Sequence, residues 1–354
     1  MPLGFKGYLM IAEEGTTIAG GNVWGQESVD WLSALYFESE SLAPAPDIFF
    51  STELGGRNAE GDRAFRRSRK RGDKCEGAIT ITAYPEGGGD MSGLALLLKH
   101  ATAGVTSGTL IGTAQGLSDD YYIHEFIPKD EIDNLWSGST YRVYGLTIHV
   151  GREDDSGSLR NYPHLGCRVR NITFSCAAGE ELKCSVEFVG RKVGDTGTAK
   201  TPTYSELQPW TFDEASVTVD GSTRQIDSFE ITITNPLSEA HTLGTNVLGR
   251  VRFSGARTVT GNITAPFEGW VKSLFDKWRN HQSASLNIKF TKGTYWIIEF
   301  DLPKIIFTGA PPSIGGPEEL VVTMPFQALW DESSGYDIKI KLSNRDEVVG
   351  YDIS

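Results

Sequence analysis

The chain has 354 residues, of which 39% are hydrophobic, and its formal net charge is -13. This composition predicts a folded, soluble protein with one large domain or two of ordinary size. No apolar run approaches the roughly 18 to 20 residues of a membrane-spanning helix, and residues 1–15 lack a secretory signal, so we expect folding in a cytoplasm.

The first distinctive segment in chain order is a basic strip at residues 63–74. Seven of its twelve residues are Lys or Arg, and with Asp73 its net charge is +6, which leaves -19 on the remaining chain. Clustered Lys and Arg often bind nucleic acid, because they neutralise phosphates and release counterions. The strip contains one aromatic residue, Phe65, so a base-stacking surface is not indicated.

Helix is scarce in the rest of the sequence. Residues 93–103 carry a stripe of leucines, and residues 269–281 carry Trp, Leu and Trp at i, i+4 and i+8, and both patterns are typical of helices packed on a core. Short alternating runs at 141–150, 216–220 and 228–235 predict half-buried antiparallel strands. The sequence therefore predicts a mainly β protein.

A change of composition near residue 200 divides the chain. The segment GRKVGDTGTAKTPTYSELQP is rich in Gly, Thr and Pro, as linkers and long loops are, so we predict a first domain at 1–204 and a second at 205–354. On each side a strand ending in Gly-Ala-Ile-Thr or Gly-Asn-Ile-Thr precedes a helix and then a hairpin. This shared order predicts two tandem antiparallel β-sandwich or barrel-like domains, each with one packed α-helix, that arose by duplication. A chance similarity between unrelated β-domains is the alternative.

The two predicted hairpins stay in phase when their Glu-Glu-Leu triplets are aligned. Core-facing residues of the later strand then correspond in four pairs: Leu182 with Leu320, Cys184 with Val322, Val186 with Met324, and Phe188 with Phe326. In the earlier strand, Ile172 and Phe174 would correspond to Ile305 and Phe307. The same phase places Cys176 and Cys184 on the core face of the first hairpin.

Signatures of catalysis and metal binding are missing. The four cysteines and six histidines show no ligand-like spacing, which argues against a disulfide scaffold or a zinc site. The phosphate loop, the dinucleotide-binding turn, the zinc-protease motif and the nucleophile elbow are all absent. The sequence predicts no catalytic residue, no cofactor and no metal, and it favours a protein that is not an enzyme.

Several strand segments follow one another in a characteristic order. SALYFESESL and CEGAIT stand in the first part, and SFEITITNPL, GRVRFSGARTVTGNITAPFE and IEFDLPKIIFTGAPPSIGGPEELVVTMPFQALWDE stand in the second. From about Lys6 to Asp331 this order resembles phage tail tube proteins of the kind with tandem tube domains. Residues 117–138 and the basic strip match nothing in that pattern.

The resemblance implies a structural virion protein. In that family each domain places a four-stranded sheet around a channel, three chains close a pseudo-sixfold ring, and rings stack into a tube through which DNA passes without specific binding. The implied partners are further copies of the chain, a tape-measure protein, a tail terminator and tail-tip proteins. The implied location is the virion tail, assembled in the host cytoplasm. The negative charge predicts a negative potential in the bore.

Within such a polymer we expect the basic strip to reach the neighbouring ring and meet an acidic surface. Converging charges can steer and align an assembly even when single exposed ion pairs contribute little. The candidate contact residues are Arg57, Arg63, Arg66, Arg67, Arg69, Lys70, Arg71 and Lys74. Phosphate binding and a solvated loop are the alternatives.

Two other functions stay open at this point. A β-sandwich module could bind carbohydrate or a host surface through its end loops. A different ring-forming component of the tail end could be built from the same kind of domain. Long hollow fibres at rising protein concentration would distinguish the tube from both.

Overall fold

The computed structural model of the chain describes residues 7–17, 24–28, 32–50, 68–85, 93–104, 108–113, 120–129, 141–309, 320–345 and 347. These residues form antiparallel β-sheets and two α-helices. The prediction of a mainly β protein is confirmed.

We call residues 1–204 the first half and residues 205–354 the second half. The helix of the first half is α1 (Gly93–Thr102), and its strands are β1 (Tyr8–Thr17), β2 (Ser33–Leu35), β3 (Phe37–Glu40), β4 (Ala43–Pro44), β5 (Asp47–Phe50), β6 (Ser68–Gly72), β7 (Cys75–Thr82), β8 (Thr109–Thr113), β9 (Asp120–Phe126), β10 (Tyr141–Glu153), β11 (Leu159–Ala177), β12 (Lys183–Gly190), β13 (Lys192–Val193) and β14 (Gly197–Thr198). The helix of the second half is α2 (Gly269–Arg279), and its strands are β15 (Ala215–Val219), β16 (Ser222–Arg224), β17 (Ser228–Thr234), β18 (Leu237–His241), β19 (Leu248–Phe253), β20 (Thr258–Pro266), β21 (Ala284–Lys292), β22 (Trp296–Phe307), β23 (Val321–Ala328) and β24 (Lys339–Asn344).

Both helices lie where the apolar period predicts them, but they are buried to different extents. Every residue of α1 is buried, against β1, β2, β9 and β11. In α2 only Val271 and Leu274 are buried, and Trp270 and Trp278 pack on the core while remaining partly exposed. Neither helix, nor any other in the described part of the chain, is long and apolar enough to cross a membrane.

One antiparallel sheet runs through both halves in the strand order β7–β12–β11–β17–β20–β23, and we call it the central sheet. The halves meet where β11 pairs with β17, through seven residue pairs from Asn171–Thr234 to Ala177–Ser228. Alternate residues turn to the core, as expected for a strand with one buried face, and they include Val186, Ile231 and Ile263.

A second layer of strands closes each core. In the first half the order is β2–β1–β10–β11, and in the second half it is β16–β15–β21–β22–β24. Two long strands belong to both layers. β11 pairs first with β10 and then with β12, and β22 pairs with β21 and then with β23.

The segment 117–138, which the sequence left unassigned, contributes a strand to the second half. β9 pairs with β8 on one side and with β24 on the other. The buried ring of His124 lies 3.0 Å from the amide oxygen of Asn344 across this pairing. The two halves therefore share a sheet here as well, and a domain boundary between residues 204 and 205 stays a prediction.

The two long hairpins confirm the predicted burial of the cysteines and correct the predicted match between their earlier strands. Cys176 and Cys184 are buried free thiols on the core side of the β11–β12 hairpin, as predicted. The proposed matches of Ile172 with Ile305 and of Phe174 with Phe307 are both wrong. Ile172 and Phe174 pair with Val186 and Cys184, whereas Ile305 and Phe307 pair with Ala328 and Phe326. The connection between β22 and β23 is longer than that between β11 and β12, so the paired part of the second hairpin lies further from its turn.

Candidate assembly surfaces

The two halves contribute strands to the central sheet in the same register. Phe188 of β12 lies opposite Gly77 of β7, and Phe326 of β23 lies opposite Gly261 of β20. A slip of one residue would turn every side chain of a strand to the other face. The shared register therefore makes β7 and β12 the counterparts of β20 and β23.

Gly77 and Gly261 also face equivalent neighbours. A Cβ atom at Gly77 would lie 2.5 Å from the backbone oxygen of Ser41, and a Cβ atom at Gly261 would lie 2.2 Å from the backbone oxygen of Glu230. Glycine in a strand often marks such a close approach of another backbone. Ser41 connects β3 with β4, and Glu230 lies in β17. The β3–β4 segment is therefore the counterpart of β17.

In the central sheet, β11 is the last strand contributed by the first half and β17 is the first strand contributed by the second half. Their pairing is thus the junction between the two halves. Among the described residues, β3 and β4 pair with a single strand, β7. At the other end of the central sheet, β23 pairs with β20 over its length but with β22 only at Phe326, Gln327 and Ala328. Within the part of the chain that the structure describes, both ends of the sheet therefore present strand edges, and such edges readily pair with another chain.

A row of neutral polar side chains crosses the face of the central sheet that points away from the core. In strand order its members are Thr80, Ser185, Thr173, Thr232, Thr260 and Gln327. The hydroxyls of Thr173 and Thr232, which belong to different halves, lie 2.9 Å apart. The row carries no charge, so it offers no ionic partner to a phosphate.

Two cations beside this row are paired with carboxylates of the same chain. The Lys183 ammonium lies 3.0 Å from a carboxylate oxygen of Glu38. The Arg170 guanidinium lies 3.1 Å from Glu187 and 2.7 Å from Glu239. These cations are therefore engaged within the chain.

The structure describes the side chains of Arg69, Lys70 and Lys74 from the basic strip. Arg69 and Lys70 are exposed on β6, and Lys70 is ion-paired with Asp73. Lys74 lies 3.1 Å from Glu76 and 3.1 Å from Glu239 of the second half. Partial burial disfavours the charged form of Lys74, but hydrogen bonds to these carboxylates outweigh burial and raise its pKa above the ordinary value. Arg57, Arg63, Arg66, Arg67 and the side chain of Arg71 lie outside the described residues.

Two small hairpins extend from equivalent places on the central sheet. The first arm is β5–β6, between β4 and β7, and the second arm is β18–β19, between β17 and β20. The two arms touch within the chain. The N–H of Asp73, at the base of the first arm, donates to the carbonyl of Asn246 at 2.7 Å, and the N–H of Leu248 donates to the carbonyl of Asp73 at 2.9 Å.

A buried ionic cluster in the first half was not predicted from the sequence. The Glu13 carboxylate of β1 lies 3.0 Å from the ammonium of Lys99 and 2.8 Å from Nε2 of His100, both on α1. Burial lowers the pKa of His100 although Glu13 opposes the shift. Burial also raises the pKa of the neighbouring Glu14 to about 7, against hydrogen bonds from three donors. The contacts of Glu13 with Lys99 and His100 fix α1 against β1. Within the described ranges, no group of three or more His, Cys, Asp or Glu residues is arranged to hold a metal ion.

The family comparison agrees with the sequence resemblance. No curated protein matches the chain. The model of a family described as "Phage tail tube protein" matches residues 5–328, which include the central sheet, both arms and both helices. Because this match spans most of the sequence, the chain belongs to the phage tail tube protein family.

Proposed function

We propose that this structural component of the phage tail closes into rings and that the rings stack into the tube through which DNA passes. The observation that carries the proposal is the β11–β17 junction, which joins the end of one half to the beginning of the next. The same pairing between copies would join β22, which pairs with β23 as β11 pairs with β12, to β3 and β4 of a neighbour. A closed sheet has no free edges.

The two halves act in this proposal as tandem tube domains, at residues 1–204 and 205–354. Three chains per ring, as the family resemblance implies, give six similar positions around the bore. Lateral contacts close by rotation, whereas stacking contacts run head to tail and do not close, so the rings continue into a filament.

We assign the outward face of the central sheet to the bore. Its uncharged row and neutralised cations support a surface along which DNA slides without being held. The net charge of -13 supports a negative potential there, which repels phosphate. Electron cryomicroscopy of assembled tubes would test this assignment, and a bore lined by unpaired Lys and Arg would contradict it.

We assign the basic strip to a contact between copies. Its charge of +6 in a chain of net charge -13 favours attraction to an acidic surface of another molecule. Reversing five strip residues to Glu should slow tube growth and weaken its salt dependence; they are Arg66, Arg67, Arg69, Lys70 and Arg71. Unchanged growth of this variant would show that the strip has another role.

The remaining partners follow from the family. A tape-measure protein inside the tube, a terminator at one end and tail-tip proteins at the other would set its length, and assembly would take place in the host cytoplasm. Copurification of tube segments with these proteins from infected cells is the direct check.

The test of the central proposal is electron microscopy of the purified chain at rising concentration. Hollow fibres that lengthen with concentration are expected. Uniform single particles that bind a sugar would indicate a carbohydrate-binding module instead. Rings that stop after one or two layers would indicate a tail-end component.

A further inference from the structure

The second arm packs on the first half of its own chain. Its residues Leu248 and Val251 are buried against Val189 of β12 and against Trp24. Glu239 of the same arm adds ion pairs at the margin of this contact. The result is an apolar contact with a charged rim, a usual composition for a stable interface.

The equivalent surface of the second half is exposed. In the register that aligns Gly77 with Gly261, the counterpart of Val189 is Gln327, which is exposed. The N–H of Arg191, which follows β12, donates to the carbonyl of Leu165 at 2.8 Å, and the N–H of Leu329, which follows β23, donates to the carbonyl of Lys304 at 2.9 Å. Leu329 is therefore the counterpart of Arg191. Leu329 and Trp330 are 39% and 56% exposed, and a cavity of about 380 Å³ beside them is lined in part by the base of the second arm. We call Leu329, Trp330 and this cavity the second-half docking surface.

The first arm offers a matching set of side chains. Ile48, Phe49 and Phe50 are 52%, 41% and 51% exposed. Lys70 lies across the hairpin from Ile48, and Arg69 lies across from Phe49. Contiguous exposed apolar side chains are a mark of interaction sites, and here they lie next to basic ones.

The residues that follow Trp330 on the second-half docking surface are acidic where the first arm is basic, while the cavity itself is lined by Lys129 and by Arg257, which is ion-paired with Asp337. Asp331 and Glu332 follow Trp330 directly, and Glu332 is exposed. Both the apolar residues and the charges of the two surfaces therefore complement each other. Opposite charges around an apolar centre favour one orientation of the two partners. This complementarity identifies the partner as a second copy of the chain.

We propose that the first arm of one copy packs on the second-half docking surface of the next copy in the ring. The contact repeats between chains what the second arm does within one chain. It rests on the proposed ring, because ring closure brings the first half of one copy beside the second half of its neighbour. In this contact the described part of the first arm packs on a neighbouring chain of the same ring. Any contact of the basic strip with another ring would be additional.

A second apolar surface offers a rival position for the arm. A groove between α2 and β23 is lined by Phe267, Phe275 and Trp278, among others. Its counterpart in the first half, beside α1, is filled by β1, β2, β9 and β11 of the same chain. By analogy with the second arm, the first arm is therefore expected at Trp330 and not in the groove beside α2. The experiment has to distinguish these two positions.

Photocrosslinking within assembled polymer makes that distinction. Ile48 is replaced in the full-length chain by p-benzoylphenylalanine, the variant is mixed with isotope-labelled native chain, and the polymer is irradiated and digested. Mass spectrometry should show residue 48 joined to a labelled peptide that contains residues 327–332. Crosslinks to α2 or to other surfaces of the labelled copy would overturn the arm proposal while leaving the tube intact. If the native chain forms no polymer, the proposed function fails and the arm contact fails with it.

Substitutions measure the strength of the contact. Ile48→Asp and Trp330→Asp should each raise the critical concentration for assembly about tenfold or more, because each removes a large apolar side chain from one interface. The double variant should be little worse than either single variant, because both break the same contact. Phe212→Asp is the matched control, since Phe212 is 46% exposed and lies outside both surfaces. An equal effect of the control, or fully additive effects of the pair, would contradict the proposal.

A charge exchange tests the rim of the same interface. Arg69→Glu and Glu332→Lys should each raise the critical concentration about two- to fivefold, the range of an exposed ion pair. The variant that carries both changes should recover most of the native value. If the combined variant assembles worse than either single one, the two residues do not face each other.

Discussion

The cores of the two halves differ in chemistry, although their strands share a register. Among its described residues, the first half buries seven charged or histidine side chains in its own core: Glu13, Glu14, Lys99, His100, His149, His164 and Arg168. His124 is also buried, but its strand β9 pairs with β24 of the second half. In the described part of the second half, the buried polar side chains are the neutral Asn235, Ser343 and Asn344. One β framework therefore accepts either a polar or an apolar interior.

This difference separates two tasks between the halves. In the first half, α1 is covered by the chain itself, and a buried ionic cluster fixes its position. In the second half, α2 is half open, and Leu329 and Trp330 stand exposed beside a cavity. The buried titratable groups that make stability depend on pH thus lie in the first half, whereas the exposed surface that can bind a neighbouring copy lies in the second half.

The largest effect is expected from the buried ionic cluster. Lys99→Met should lower the free energy of unfolding by about 3–5 kcal/mol, because it leaves the Glu13 carboxylate buried without its cation. Lys272→Met is the matched control on α2, where the pair with Asp276 is largely exposed and the change should stay within about 0.5 kcal/mol. Urea unfolding measures both, and equal losses would remove the contrast between the helices.

The equivalence of the two halves can be tested at its glycines. Gly77→Ala and Gly261→Ala should each lower the free energy of unfolding by about 1–3 kcal/mol, because the added methyl group would overlap the backbone of the adjacent segment. Gly77 also has a φ of +149°, which a residue with a side chain rarely adopts. Gly269→Ala, where no atom lies within 4 Å, should be neutral or slightly stabilising. Tolerance at only one of the two strand positions would mean that the halves are not built alike.

Acid should weaken the first half more than the second. Burial lowers the pKa values of His100, His149 and His164. Below about pH 6.5 these histidines take up protons in the unfolded chain but not in the folded one, so their contribution is complete above that pH and is lost as the pH falls. We expect the free energy of unfolding to fall between pH 7 and pH 5.5, with a slope of at most about 1.4 kcal/mol per pH unit for each histidine. Hydrogen exchange should show it in β10 and not in β21, and equal losses would count against the contrast.

Glu14 should oppose the histidines by a smaller amount. Its pKa of about 7 in the folded state exceeds the ordinary value of 4.5. Between these values the folded chain holds a proton that the unfolded chain has released, so this contribution to stability decreases as the pH rises. Glu14→Gln removes this opposing contribution. The free energy of unfolding should then fall more steeply from pH 7 to pH 5, by about 1 kcal/mol per pH unit. An unchanged slope in pH-dependent urea unfolding would place the pKa of Glu14 near its ordinary value.

Features with a local period could be predicted from the sequence. The alternation in SFEITITN gives β17, and the leucine stripe gives α1, since each depends on neighbours within a few residues. The burial of Cys176 and Cys184 followed from the same alternation.

Features that depend on distant partners could not be predicted. Lys99 and His100 end a leucine-rich helix, where basic residues usually face solvent and the helix C-terminus. Their burial depends on Glu13, which lies 86 residues from Lys99, and no local pattern shows that partner. The pairing of β9 with β24 and the register of Phe307 likewise depend on connections whose lengths the alternation does not reveal.

The pairing of β9 with β24 has a consequence for synthesis. His124 meets Asn344 across 220 positions of sequence, so one edge of β9 stays without this neighbour until β24 has left the ribosome. Polypeptides that end before β24 consequently lack the β9–β24 part of the sheet, and we expect them to assemble less well. Synthesis of β24 is therefore required before the sheet that contains β9 is complete.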